Sequence, residues 1–281
     1  MDEVAVARGW HARLELEYIR RGGKTRLARK RQHGPLSVQR PFYPEGNTCH
    51  NYILHPPGGV VSGDTLQISI NAHCDTHSLL TTPGATKFYR SDSTLYACQE
   101  QRIALEEGAI VEWLPQQNIF FNGANASLRT AIDITPGAKF IGWEMHCLGR
   151  PAAKELFTRG DFISRTRVSV GGELRLIEQF CTRGDGAIRT ATGLRGFAMH
   201  GNLIAAPCDE QHRSILEHIL LSELANIYPH PVGLTLVDQV LVVRALGEQI
   251  EPMQEVFSTL WMALRRNWLH KAPCQPRIWA T

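Results

Sequence analysis

Residues Trp10–Tyr18 read WHARLELEY, and this stretch decides the fold. Trp10, Ala12, Leu14, Leu16 and Tyr18 share one parity, while His11, Arg13, Glu15 and Glu17 share the other. Side chains alternate across a strand, so the segment reads as a strand with one face in a core and one in water. The pattern returns at Leu66, Ile68, Ile70 and Ala72, at Leu128, Ile132 and Ile134, at Val168 and Val170, and at Leu174 and Leu176. Between these runs lie Gly84-Ala85, Gly108-Ala109 and Gly137-Ala138, 24 and 29 residues apart, with Gly171-Gly172 34 residues further on. Each reads as a turn between extended segments. The expectation is a mainly β chain, an irregular β-helix-like stack of short strands, with a β-sandwich as the competing arrangement.

Two segments in the C-terminal third carry helical spacing instead. From Asp209 to Ile227, apolar residues fall at 215, 216, 219, 220, 224 and 227, with Asp209 suited to the N-cap. From Pro252 to Trp268, Val256, Phe257, Leu260, Trp261, Leu264 and Trp268 form a second stripe, with Pro252 suited to the first turn. Thr235–Leu246 is nearly continuous in apolar residues and reads as one buried strand. No linker-like stretch divides the chain, so residues 1–281 are expected to form a single domain.

Gly34–Asp64 (GPLSVQRPFYPEGNTCHNYILHPPGGVVSGD) holds five prolines and five glycines among its 31 residues. Such punctuation excludes a long helix or strand. The interleaved Val38, Phe42, Tyr43, Tyr52, Ile53 and Leu54 exclude a solvated linker, which leaves tightly specified, partly buried turns.

The bulk numbers bound the function. With 281 residues, 43% hydrophobic, the chain can bury a large core. A net charge of +3 argues against a nucleic-acid binder. The basic run from Arg20 to Arg31 reads as a solvated hairpin, with a docking patch for an acidic partner as the alternative. Seven scattered cysteines without a Cys-x-x-Cys pair rule out a zinc ribbon and disfavour a disulfide framework. No secretory h-region and no bilayer-length apolar run are visible, so a cytoplasmic location is expected.

Chemistry-bearing words are sparse. His55-Pro56-Pro57-Gly58-Gly59 lacks the Gly-Lys-Ser/Thr of a phosphate loop and reads as a kinked turn. No Gly-x-Ser-x-Gly exists, and Ser62-Gly63-Asp64 reads as a turn. On a strand His73, Asp75 and His77 would share a face suited to nickel or zinc; a surface turn is the plainer reading.

Together the words Gly34-Pro35-Leu36, Val38–Gly46 (VQRPFYPEG), His55–Gly59 (HPPGG), Thr82–Arg90 (TPGATKFYR), Glu112–Gln116 (EWLPQ), Trp143-Glu144, Leu148–Pro151 (LGRP) and Pro276–Trp279 (PRIW) resemble the UreD (UreH) family of urease accessory proteins almost end to end. Ser62 departs, standing where the family usually has glycine. The resemblance implies a non-enzymatic scaffold bridging apo-urease to the helical accessory protein UreF, and through it to the GTPase UreG, with a dimer within that complex. It also implies transient passage of Ni2+ with no permanently bound cofactor, no nucleic acid and no membrane. Asp64, Glu112 and Glu144 lie within or beside family words and are the candidates for lining a nickel passage. Arg40, Phe42, Tyr43, Arg277 and Trp279 are the candidates for docking partners. The alternatives are a hydrolase using His55, Ser62 or Asp64, and a metal-independent β-scaffold for protein interaction.

Overall fold

The structure, a computed structural model, describes residues 9–280. The chain opens with an antiparallel hairpin, β1 (His11–Arg21) and β2 (Lys24–His33), followed by the short β3 (Ser37–Val38). A coiled path then begins with β4 (Cys49–Leu54), β5 (Thr65–Ala72), β6 (His77–Thr81) and β7 (Thr86–Phe88). It repeats through β8 (Ala97–Leu105), β9 (Ile110–Leu114) and β10 (Asn118–Phe120), then through β11 (Asn125–Ile134) and the long β12 (Lys139–Arg150). After β13 (Glu155–Leu156), β14 (Asp161–Val170), β15 (Glu173–Arg183) and the one-turn α1 (Gly186–Arg189), the path leaves the coil. It ends with β16 (Met199–Ala206), α2 (Glu210–Ile219), the hairpin β17 (Val232–Val237) and β18 (Val240–Gly247), and α3 (Ile250–Asn267).

The expected β-helix-like stack is present. One sheet runs β15-β14-β11-β8-β5-β1-β2, parallel from β1 to β14 and closed by antiparallel strands at both edges. The facing sheet runs β17-β18-β16-β12-β9-β6-β4-β3, parallel from β4 to β12. In the first sheet Thr65 pairs with Cys98, Ala97 with Ala126 and Asn125 with Asp161, so successive rungs lie 33, 29 and 36 residues apart. The coil is irregular in length but regular in register.

Glycine supplies corners between the sheets. Gly108 and Gly137 sit at φ 71° and 85°, a region that L side chains seldom adopt, and each precedes a strand of the second sheet. Asp75 takes the equivalent corner before β6 with φ 56°. That explains the His73–His77 tract as a turn: its backbone N–H bonds to the Glu107 carbonyl of the next corner.

Two cores result. Leu14, Leu16, Ile68, Ile70, Ile103, Ile132 and Val168 fill the space between the sheets. On the outer face of the second sheet, Ile141, Trp143 and Met145 pack against Val256, Phe257, Leu260, Trp261 and Leu264 of α3. The stripe of α3 therefore faces this core, as do Ile215, Leu216, Ile219, Leu220 and Leu224 of the first stripe, whereas Ile227, beyond the helix, is exposed. Asp209 caps α2, its carboxylate accepting the His212 N–H, and the helix loosens into a π turn at Leu220–Leu224. The expectation of one strand over Thr235–Leu246 is corrected. The run folds back at Asp238-Gln239, both at positive φ (45° and 69°), a two-residue turn whose twist suits an antiparallel hairpin.

Candidate functional site

Strand β12 alternates between the two cores. Phe140 and Leu148 enter the space between the sheets, whereas Ile141, Trp143, Met145 and Cys147 face the helices. Glu144 and His146 share the parity of Phe140, so the pleat delivers a carboxylate and an imidazole into the layer between the sheets, where Gln99, Gln101, Thr130 and Thr166 are also buried. Glu144 accepts hydrogen bonds from Thr130 Oγ1 (2.5 Å) and Thr166 Oγ1 (3.2 Å), and His146 Nε2 stands 3.8 Å away. Burial would push its carboxyl up, but the imidazole and two hydroxyls outweigh it and hold the group below the ordinary carboxylate range.

The polar seam extends along the layer. Asn118 Nδ2 lies 3.4 Å from His146 Nδ1, and the His146 and His200 rings stand 5.0 Å apart, flanked by Phe120, Phe162 and Phe180. His146 Nε2 and His200 Nε2 are buried without hydrogen-bond partners. Buried polar atoms are normally satisfied, so these two orphaned imidazole nitrogens, one of them 3.8 Å from Glu144, set the seam apart from the rest of the core. A cavity of about 190 Å³ reaches Glu144, Gln99, Gln101 and Asn118 from a mouth formed by His55, Pro57–Gly59 and Thr82–Lys87.

The family model described as UreD urease accessory protein matches residues 11–280. The chain belongs to the UreD family. It is 46% identical over 280 residues to the urease accessory protein UreD of Aliivibrio fischeri (strain MJ11), covering 97% of each chain. It is 44% identical over 274 residues to the UreD of Escherichia coli (97% of this chain, 98% of that one) and 44% identical over 285 residues to that of Vibrio parahaemolyticus (100% and 99%).

In this UreD chain the three carboxylates singled out from the sequence do not meet in one place. Asp64 caps a turn: its carboxylate accepts the N–H groups of Trp10 (2.7 Å) and Val61 (3.0 Å). Gly63 carries the positive φ (87°) of that turn, so serine at position 62 is accommodated. Asp64 also borders a second cavity of about 400 Å³, which shares His55, Pro57 and Gly59 with the cavity below Glu144. Burial holds the His55 imidazole below its ordinary range, with the charge of Asp64 opposing. The two cavities adjoin, with Asp64 on one, Glu144 on the other and His55 on both.

Glu112 lies on the opposite face of the second sheet. It is fully buried, with His77 Nε2 and Trp261 Nε1 each 2.5 Å from its oxygens and Arg265 Nε at 3.5 Å. Arg265, fully buried in turn, donates to Glu45, whose other oxygen is 2.6 Å from His50 Nε2. This network ties α3 to β6, β9 and the Tyr43–Glu45 loop.

The His73, Asp75, His77 cluster does not form. His73 is exposed on Glu106, Asp75 turns the corner, and His77 is buried on Glu112. Ser62 Oγ is bonded to Ser91 Oγ and not to a base, so the nucleophile of the hydrolase reading is not activated here.

Of the docking candidates, Arg40 and Arg277 are exposed. Phe42 packs on His50 and Tyr52, and Tyr43 lies under Lys24 and Arg26. Trp279 is turned inward against Trp143 and Trp261 and donates to Thr81 Oγ1, so it anchors the tail to this chain's own core. In sequence terms His50 is set aside because it cannot chelate together with its neighbour Cys49, and His146, His200, Glu45 and Arg265 are singled out for no role. The parity of Glu144 pointed to His146, and Arg265 was the charged residue inside an apolar helical stripe.

Among the described residues no helix is long and apolar enough to cross a membrane.

Proposed function

We propose that this chain serves urease maturation as a β scaffold that joins apo-urease to the helical accessory protein and its GTPase, in the cytoplasm, and that nickel travels through the seam around Glu144. The observation that supports the passage is the buried Glu144 carboxylate at the foot of a cavity, with the unpartnered His146 Nε2 3.8 Å behind it. The reading also rests on family membership.

Carboxylate, hydroxyl, amide and imidazole donors suit a divalent first-row cation, and a set without thiolate releases nickel more readily than a sulfur site does. Asp64 and His55 lie at the outer cavity and Glu144 at the inner one, with His146 3.8 Å behind Glu144, a graded series of weak ligands. No bond is made or broken by this chain in that role, so no catalytic residue is needed.

The test is nickel loading of apo-urease in a reconstituted mixture of the accessory proteins. Glu144→Ala and His146→Ala should each lower nickel incorporation while co-purification with the partners is retained. Unchanged incorporation in both variants, with the complex intact, overturns the passage and leaves a structural seam.

A further inference from the structure

On the outer face of the second sheet, away from the seam, Glu45, His50 and Cys274 offer one ligand atom each, all within 4.8 Å of one another. We propose that these three residues form a second metal site, for a borderline divalent cation of the zinc, cobalt or nickel class, that clasps the C-terminal tail to the body of the protein. The proposal does not rest on the nickel passage.

The donor set is mixed sulfur, nitrogen and oxygen, which is the chemistry of such cations. Donors around a tetrahedral ion stand roughly 3.3–3.8 Å apart, so a closure of about 1 Å completes the site. Cys274 can supply that movement because it lies on the tail after α3, half-buried, and not within a strand. His50 is fully buried, and its Nδ1 has no partner.

The surroundings are built as a support for ligands. Glu45 gives one oxygen to His50 and the other to Arg265, which is itself held against Glu112. Such outer partners fix the orientation of a ligating carboxylate. Glu45 and a Cys274 thiolate would carry two negative charges against the single guanidinium of Arg265, which Glu112 also engages, so the cluster attracts a cation. On binding, the metal–sulfur bond forms and the thiol proton leaves to water.

The full chain, stripped of metal and kept reduced, is titrated with Co2+ alone. A sulfur-to-cobalt charge-transfer band should appear, saturate at a single ion per chain and disappear when Zn2+ is added. Cys274→Ser should abolish the band, whereas Cys74→Ser and the seam variant Glu144→Gln should retain it. Glu45→Gln and His50→Gln should weaken Co2+ binding about tenfold or more. In the unaltered chain, Zn2+ should slow alkylation of Cys274, read by peptide mass spectrometry. A band that survives in Cys274→Ser, or an alkylation rate indifferent to Zn2+, overturns the site.

Discussion

His200 shows how burial decides the behaviour of a single side chain. Burial, reinforced by the charge of His146, holds its imidazole well below the ordinary range. The folded state therefore takes up no proton there as the solution becomes mildly acidic, while the unfolded chain protonates near pH 6.5. Stability from this residue is complete above about pH 6.5 and falls below it, by up to about 1.4 kcal/mol per pH unit. His200→Phe, which fits the aromatic cluster, should flatten the decline of the urea midpoint between about pH 7 and 5. Glu112 presents the opposite case, a charge kept ionised at depth. Glu112→Ala leaves Arg265 and His77 without their shared partner and should cost about 3–5 kcal/mol in urea unfolding. The types of these residues were readable in the sequence, but their faces were not. Glu112 pairs with Ile141, so it shares the side of Ile141 and Trp143 and lies opposite Glu144. Register between distant strands sets that relation, and no local pattern encodes it.

At the scale of elements, alternation was the strongest signal because its period is independent of tertiary context. β1, β5, β8 and β11 bury every second residue, as WHARLELEY announced for the first of them. Thr235–Leu246 misled because its turn, Asp238-Gln239, contains neither glycine nor proline and so carries no punctuation. Gln239 holds φ 69° without being glycine. Gln239→Gly should therefore stabilise the chain by about 1 kcal/mol, read as a rise in the urea midpoint at unchanged slope. The first turn of α2 was legible: Asp209 and His212 cap each other's backbone, and Asp209→Ala should cost about 1 kcal/mol in the same measurement.

Across the whole molecule, the tail and the helices act as a lid over the second sheet. Trp279 packs tilted against Trp143 and edge-on against Trp261, and Lys271 Nζ bonds Thr48 Oγ1, a contact between residues more than 200 positions apart. Trp279→Ala should lower stability by about 2 kcal/mol, less than the roughly 3–5 of a fully buried tryptophan. A blue-to-red change in Trp143 and Trp261 fluorescence at unaltered far-ultraviolet dichroism would report the opened lid. The two-core plan was only partly legible: the helical stripes announced an apolar surface to cover, without saying which sheet they would cover.

The alternation of β12 carries a consequence for how this chain tolerates change. The strand works as a reading frame, with Phe140, Glu144, His146 and Leu148 in one phase and Ile141, Trp143, Met145 and Cys147 in the other. One residue added or lost between Phe140 and Leu148 would shift the phase, exchanging Glu144 with Trp143 and emptying both layers at once. The corners are under no such rule, since rungs of 29 to 36 residues keep the same pairing. Insertions and deletions are thus affordable at the turns and ruinous within β12, whatever residues they add or remove.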